Sequence, residues 1–253
     1  SLFFLEYNFR DGHVVKNKNL RKAIQLVFNG EEYVNKVVGV PGTTPGISLI
    51  PRWLMGKKDN FRKEYPVSLV KPNVAEAKKY MEKARKELGI SGPVSIAWLT
   101  GDSPLASKEA EYFQNLLKNT LGIELKIDKQ IFKQRLAKMS AGDFDVVSAG
   151  WGPDYNDPMT FADLKTSWNE NNRGKWENKE FDELIRKAQA SADQKVRMDN
   201  MAAAEKILLE ELPLMPLYER TIVYTHSERI DGIVRRAVGF DPDYTWVKVA
   251  GKK

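Results

Sequence analysis

The densest set of potentially reactive side chains lies in FDVVSAGWGPDYNDP, Phe144 to Pro158. Two carboxylates, Asp154 and Asp157, stand three residues apart beside Trp151, Tyr155 and Asn156. A pair of carboxylates can hydrolyse a glycosidic bond when the two face each other about 5–9 Å apart across a sugar. Within one loop, both would have to turn to the same side. Asn156-Asp157-Pro158 also gives Asp157 an ordinary role as a turn former. Asp154 suits a different task. A carboxylate next to an indole can hold an ammonium group, through a charge-assisted hydrogen bond of about 1.5–3 kcal/mol when buried. The indole would add a cation–π contribution of about 1 kcal/mol. Gly150 and Gly152, without side chains, would let an extended ligand approach the main chain and pair with it as an added strand. Equally, Trp151 could cap the core and Asp154 could cap its own loop.

Other chemistries lack their parts. The 253 residues include no cysteine and only two histidines, His13 and His226, so neither a disulfide framework nor a thiolate or histidine metal site is expected. The phosphate-loop, dinucleotide, nucleophile-elbow and H-E-x-x-H patterns are all absent. A non-catalytic protein without cofactor or metal is expected. The net charge of +6 invites a nucleic-acid partner. However, the charges are interleaved, as where Glu82 precedes Lys86 by four residues, and this predicts a solvated helix face instead. Apolar runs such as IQLVF (24–28) are too short to cross a bilayer. The opening SLFFLEYNF has no signal-peptide pattern and predicts a processed start.

The elements that would position this loop follow from periodicity. Leu20, Ala23, Ile24, Val27 and Phe28 predict a one-sided helix capped by Asn19 and ending near Asn29-Gly30. A proline- and glycine-rich loop follows. A helix capped by Asn73 should stop at Gly89, with strand 94–100 next and then a helix from Ser103. Strand 123–128, a helix marked by Phe132, Leu136 and Met139, and strand 144–150 complete a β-α-β-α-β series. That order predicts an α/β fold whose mainly parallel sheet is flanked by helices. Ligands of such sheets bind beyond the carboxyl ends of the strands, where Thr100–Pro104 and Trp151–Pro158 fall. Helices are also expected at 180–190 and 192–211, and PLMPLYERTIVYT should be an edge or crossover passage because of Pro213 and Pro216.

GDFDVVSAGWGPDYNDP resembles the strand-and-loop signature of the bacterial extracellular solute-binding proteins of the oligopeptide and dipeptide type, family 5, in which a G-x-[FY]-D strand runs into G-W-x-x-D-[YF]-x-[DN]-P. NKNLRKAIQLVFNGEEYVNKVV, GTTPGISLIP, PNVAEAKKYMEKA and LPLMPLYE resemble further family blocks in order, with Asn29-Gly30 departing from the usual acidic-basic pair. The resemblance implies a type II periplasmic-binding-protein-like lobe. It makes residues 1–221 the C-terminal ligand-binding lobe and residues 222–253 a return segment packing on an N-terminal lobe. It also implies capture of an oligopeptide for ATP-driven import, with ABC permease subunits in the membrane as partners and no nucleic acid. A monomer outside the cell or in the periplasm, anchored by an upstream lipid, would follow. Asp154 would hold the ligand's α-amino group, with Trp151, Gly150, Gly152, Tyr155 and Asn156 around it. Ser148 stands neutral where some peptide binders present a basic side chain. Other family members bind oligosaccharides, metal chelates or haem, which keeps those solutes as alternatives.

Overall fold

The computed structural model describes residues 1–236, 238 and 241–251. In chain order the elements are β1 (Leu2–Tyr7), α1 (Lys18–Val27), α2 (Gly30–Tyr33), β2 (Thr44–Pro45), α3 (Phe61–Glu64), α4 (Val74–Leu88), β3 (Val94–Gly101) and α5 (Pro104–Leu121). Next come β4 (Ile123–Gln130), α6 (Phe132–Ala141), β5 (Val146–Trp151), α7 (Met159–Ala162), α8 (Lys179–Ala190), α9 (Gln194–Glu211), β6 (Leu214–Glu219), β7 (Ile230–Asp231) and β8 (Lys248–Val249). The sheet order is β2-β6-β1-β5-β3-β4.

The expected β-α-β-α-β unit is present as β3-α5-β4-α6-β5, with β3 parallel to both β4 and β5. The sheet as a whole is mixed, which corrects the expectation of a mainly parallel one. β1 runs antiparallel to β5 and β6, and β2 antiparallel to β6. Direction is forced to be parallel only where a crossover helix joins neighbouring strands, and no such helix joins β1 to β5. β1 itself escapes period-2 analysis. LFFLEY is buried on both faces, so it reads as a continuous apolar run. Nor is β6 an edge strand. All six of its residues are buried, and Pro216 is accommodated at a bulge where the register with β1 shifts between Phe3 and Phe4.

Helices cover both faces of the sheet. On one, α1, α4 and α5 bury Leu20, Ile24, Met81, Phe113 and Leu117 against Ile96, Trp98 and Val146. On the other, α7, α8 and α9 bury Phe161, Phe181, Ile185, Met201 and Leu208 against Leu2, Phe4 and Leu214. Local chemistry sets the helix ends. Asn73 and Ser103 accept the amides of Glu76 and Ala106 and start α4 and α5. For α1 the cap is Asn17, whose side chain accepts from Leu20 N at 2.9 Å, in place of the expected Asn19. Asn19 donates instead to Glu87 on α4 at 2.8 Å. α6 departs from its expected role as well. Met139 is buried, but Phe132 is 65% exposed and Leu136 36% exposed, so most of its apolar stripe faces outward.

A buried ion pair ties the sheet to the segment after α7. Lys165 Nζ lies 2.6 Å from Glu6 Oε1, and neither side chain is more than 2% exposed. Glu6 also accepts the Gly174 amide at 2.7 Å. Removing one member of such a pair leaves an uncompensated charge, typically costing about 3–5 kcal/mol. We therefore expect Lys165→Met to destabilise the protein by about that amount. Urea unfolding measures it, and a loss below about 1 kcal/mol would show the pair to be dispensable.

Candidate functional site

β5 is held unequally on its two sides. It pairs with β1 along its whole length, from Tyr7↔Val146 to Leu2↔Trp151. With β3 it pairs only at Trp98↔Val146 and Leu99↔Val147. Beyond that point the two parallel strands part, leaving the edge of Ser148–Trp151 open at the carboxyl end of the sheet. Two cavities flank this edge. One, of about 300 Å³, has Thr100, Asp102, Glu109, Arg135, Ser148 and Arg220 in its wall. The other, of about 190 Å³, is walled by Phe132, Arg135, Leu136, Gly150, Trp151 and Arg173 among others. The outward stripe of α6 thus serves these cavities. A larger hollow of about 440 Å³ lies along Tyr65–Val67 and α9, and none of its lining residues belongs to the strand ends.

The loop after β5 is clamped from below. Asp157 receives both arms of Arg197 on α9, Nη1 to Oδ2 at 2.9 Å and Nη2 to Oδ1 at 3.0 Å, and accepts the Met159 amide at 2.9 Å. Its turn-forming role is therefore reinforced by a bidentate pair, and its oxygens are occupied. Thr160 Oγ1 accepts the Asp154 amide at 3.1 Å and lies 3.4 Å from Trp151 Nε1. Trp151 is half-buried and packs on the core with Phe4 and Phe161 nearby, so it both caps that cluster and lines a cavity.

Asp154 is exposed, and its carboxylate accepts no hydrogen bond among the described residues. It is not a cap. Tyr155 and Asn156 are exposed beside it. Gly152, Asp154, Tyr155 and Asn156 line neither cavity, whereas Gly150 and Trp151 do. Gly150 has a packing reason for lacking a side chain, because a Cβ there would sit 3.0 Å from the Phe3 ring. Phe3 fills the side-chain face of Gly150, and the open part of Gly150 is its main-chain edge.

Three functional candidates escaped the sequence. Asp163, half-buried behind Asp154, has its carboxyl pushed up to about 6, first by burial and then by the Asp154 charge. Glu109 is buried on the floor of the larger cavity, where it accepts the Tyr33 hydroxyl at 2.7 Å; burial raises its pKa. Arg135 stands between the two cavities. None of the three stands out in the sequence, because burial and neighbours from other elements, not local spacing, set them apart. Among the described residues no group of three or more histidine, aspartate or glutamate side chains is placed to hold a metal ion, and no helix is long and apolar enough to cross a membrane.

The model of bacterial extracellular solute-binding proteins, family 5 Middle, matches residues 1–173. The chain belongs to this family. It is 33% identical over 240 residues to the dipeptide-binding protein DppE of Bacillus subtilis (strain 168), covering 94% of this chain and 44% of that one. Against the oligopeptide-binding protein OppA of the same organism the identity is 28%, covering 88% of this chain and 41% of that one. The chain thus spans less than half the length of these relatives. A crystal structure of an oligopeptide ABC transporter substrate-binding domain from Bacillus anthracis str. Ames superposes with a TM-score of 0.90 at 31% identity, over 99% of this chain and 49% of that one. Listeria monocytogenes OppA bound to peptide gives 0.88 at 31% identity, again over 99% and 49%. The fold is accordingly the α/β, type II periplasmic-binding-protein-like architecture of this family.

The Asp154–Asp163 coupling has a pH signature. Folded Asp163 keeps its proton up to about 6, against an ordinary value of 3.8. Between these values the folded state binds more protons than the unfolded one, so this group's stabilising contribution falls as pH rises through the window. Asp154→Asn should lower the Asp163 midpoint but leave it above 3.8, because burial remains. Carboxyl-carbon NMR titration reads this directly, and an unmoved midpoint would show the two charges to be uncoupled.

Proposed function

We propose that this chain is the ligand-gripping part of the solute-binding component of an ABC importer and that it captures oligopeptides by their α-amino group and main chain. One observation carries the proposal. The open edge of β5 from Ser148 to Trp151 leads directly into a carboxylate, Asp154, that no group of its own loop occupies. An extended chain lying along that edge finds main-chain partners for strand addition, and its ammonium end finds a counter-charge. Family membership and the names of the relatives, dipeptide-binding and oligopeptide-binding, support the same ligand class. The function is binding without catalysis. The protein would work outside the cell or in the periplasm, lipid-anchored through an upstream segment, as a monomer that meets permease subunits in the membrane.

In the same proposal, residues 1–221 form the ligand-binding lobe and 222–253 a return segment that packs on a second lobe. Ala237, Gly239, Phe240, Lys252 and Lys253 of that segment lie outside the described residues. Its described part supports the assignment by exposing Ile222, Val223, Tyr224, Tyr244 and Trp246, with Trp246 67% exposed. Apolar surface of this kind gains free energy when another surface covers it.

Asp154→Asn in the full-length protein should weaken peptide binding by about tenfold or more, as loss of a charge-assisted contact implies. N-acetylated peptides should bind wild type as poorly. Calorimetry with matched free and acetylated peptides makes the comparison, and equal affinities would remove Asp154 from the role. The chain on its own should bind far more weakly than the full-length protein, because one wall cannot enclose a ligand.

A further inference from the structure

We propose that Arg135 is the anion-reading residue of this site, receiving a carboxylate of the bound ligand beside the open edge of β5. The proposal rests on the peptide-binding function above and adds to it the charge of the group that the far end of the ligand, or one of its side chains, presents.

Position comes first. Arg135 projects from α6 and lines both cavities that flank the strand edge. Its Nη1 donates to Ser148 O at 3.0 Å, at the place where β5 has lost its β3 partner. Ser148 itself offers no charge, and its hydroxyl already accepts from Trp98 Nε1 at 3.1 Å. Whatever positive character this stretch of the cleft has must therefore come from outside the strand.

Unspent hydrogen-bonding capacity comes second. Arg135 Nε is buried without a partner, and its Nη2 donates to nothing among the described residues. Three other framework arginines hold carboxylates, while Arg220 in the same wall forms no ion pair among the described residues. Arg62 grips Glu205 with both arms, Arg197 grips Asp157, and Arg52 holds Glu219. Arg21, also buried, gives both Nη groups to the carbonyls of Val15, Lys16 and Glu211, although its Nε, like that of Arg62, has no partner either. What distinguishes Arg135 from both is an Nη group without a partner facing a cavity. Arg135 forms no ion pair among the described residues. A guanidinium left with free donors in a concave, partly apolar wall is matched by a carboxylate, whose two oxygens fit its planar fork.

Surroundings come third. The guanidinium carbon lies 5.6 Å from the Phe132 ring centroid, and burial disfavours the charged form. Arginine nevertheless stays protonated at neutral pH, so the charge persists in a poorly solvated place. Two acidic groups share the larger cavity, Asp102 and Glu109. Glu109 is already engaged by the Tyr33 hydroxyl, and Asp102 is exposed. Arg220, over the Phe3 ring at 5.1 Å, adds a second cation to the same wall. With Asp154 beyond the carboxyl end of β5 and Arg135 at Ser148, a ligand spanning both would run antiparallel to the strand.

The shared chemistry is a carboxylate, and it could come from the ligand's terminus or from an acidic side chain. A capture experiment with the full-length protein separates these sources. A mixture of short synthetic peptides is offered, each made as free acid and as C-terminal amide, and each with Glu and with Gln at internal positions. Bound peptides are quantified by mass spectrometry. Wild type should enrich carboxylate forms over neutral twins by roughly tenfold. Arg135→Gln should bring that ratio close to one, while Arg135→Lys keeps part of it. Loss confined to acid-against-amide pairs assigns the terminus, and loss confined to Glu-against-Gln pairs assigns a side chain. Thermal unfolding of both variants checks that the fold is retained. Wild-type ratios in a folded Arg135→Gln protein would overturn the proposal. An intact preference for free over acetylated amino ends would then show that the Asp154 function survives without it. Failure of folded wild type to capture any peptide would sink both.

Discussion

The architecture depends on how one strand is held. β5 takes its main-chain hydrogen bonds from β1 along its full length, and from β3 for only two residues. A backbone edge left open inside a sheet normally invites aggregation or must be covered. Here it opens beside two cavities at the carboxyl end of the strands, walled by the outward face of α6 and by the start of the 151–158 loop. The antiparallel partnership with β1 keeps β5 rigid while its other side is available, so the strand can serve at once as framework and as binding surface. The mixed topology thus supports the open stretch, since a strand anchored only through β3 would lose its support where the pair diverges.

Around that edge the charges divide sharply into spent and unspent. Asp157 is taken by Arg197, Glu205 by Arg62, Glu6 by Lys165, and Asp145 by His13 and the Ala97 amide. These pairs hold elements together and offer nothing to a ligand. Next to the open strand, Asp154, Asp102 and Arg220 form no side-chain hydrogen bond or ion pair among the described residues, and Arg135 forms only its bond to Ser148 O. Asp163, behind Asp154, adds negative potential but carries a burial cost of its own, which is why its proton is held to about 6. Opposite charges separated along one strand edge give the cleft a polarity that a zwitterionic chain would satisfy and a neutral sugar would not.

Much of this was legible in the sequence. Caps at Asn73 and Ser103, the β-α-β-α-β series and the placement of the Trp151–Pro158 loop at the carboxyl end of a strand all follow from spacing and turn chemistry. What could not be read was long-range. β1 hides in a doubly buried run, and its direction is set by no local connection. The purpose of Phe132 and Leu136 was inverted, because helical periodicity reports that a stripe is apolar and not whether a core or a cleft lies against it. For Gly150 the sequence did not show that its missing side chain also makes room for Phe3 from the neighbouring strand. Asp154 was singled out as a candidate by its neighbours in sequence; Arg135 was not, since its companions Ser148 and Thr100 come from separate strands.

One hydroxyl has an outsized reach. Thr160 Oγ1 is the common acceptor for the Asp154 amide and the nearby Trp151 indole, so the tilt of the aromatic plate and the main chain that carries the acidic side chain are tied to a single atom. The positions of the indole and of the Asp154 main chain are therefore mechanically linked. Evolution cannot retune one without disturbing the other unless it first re-plumbs position 160.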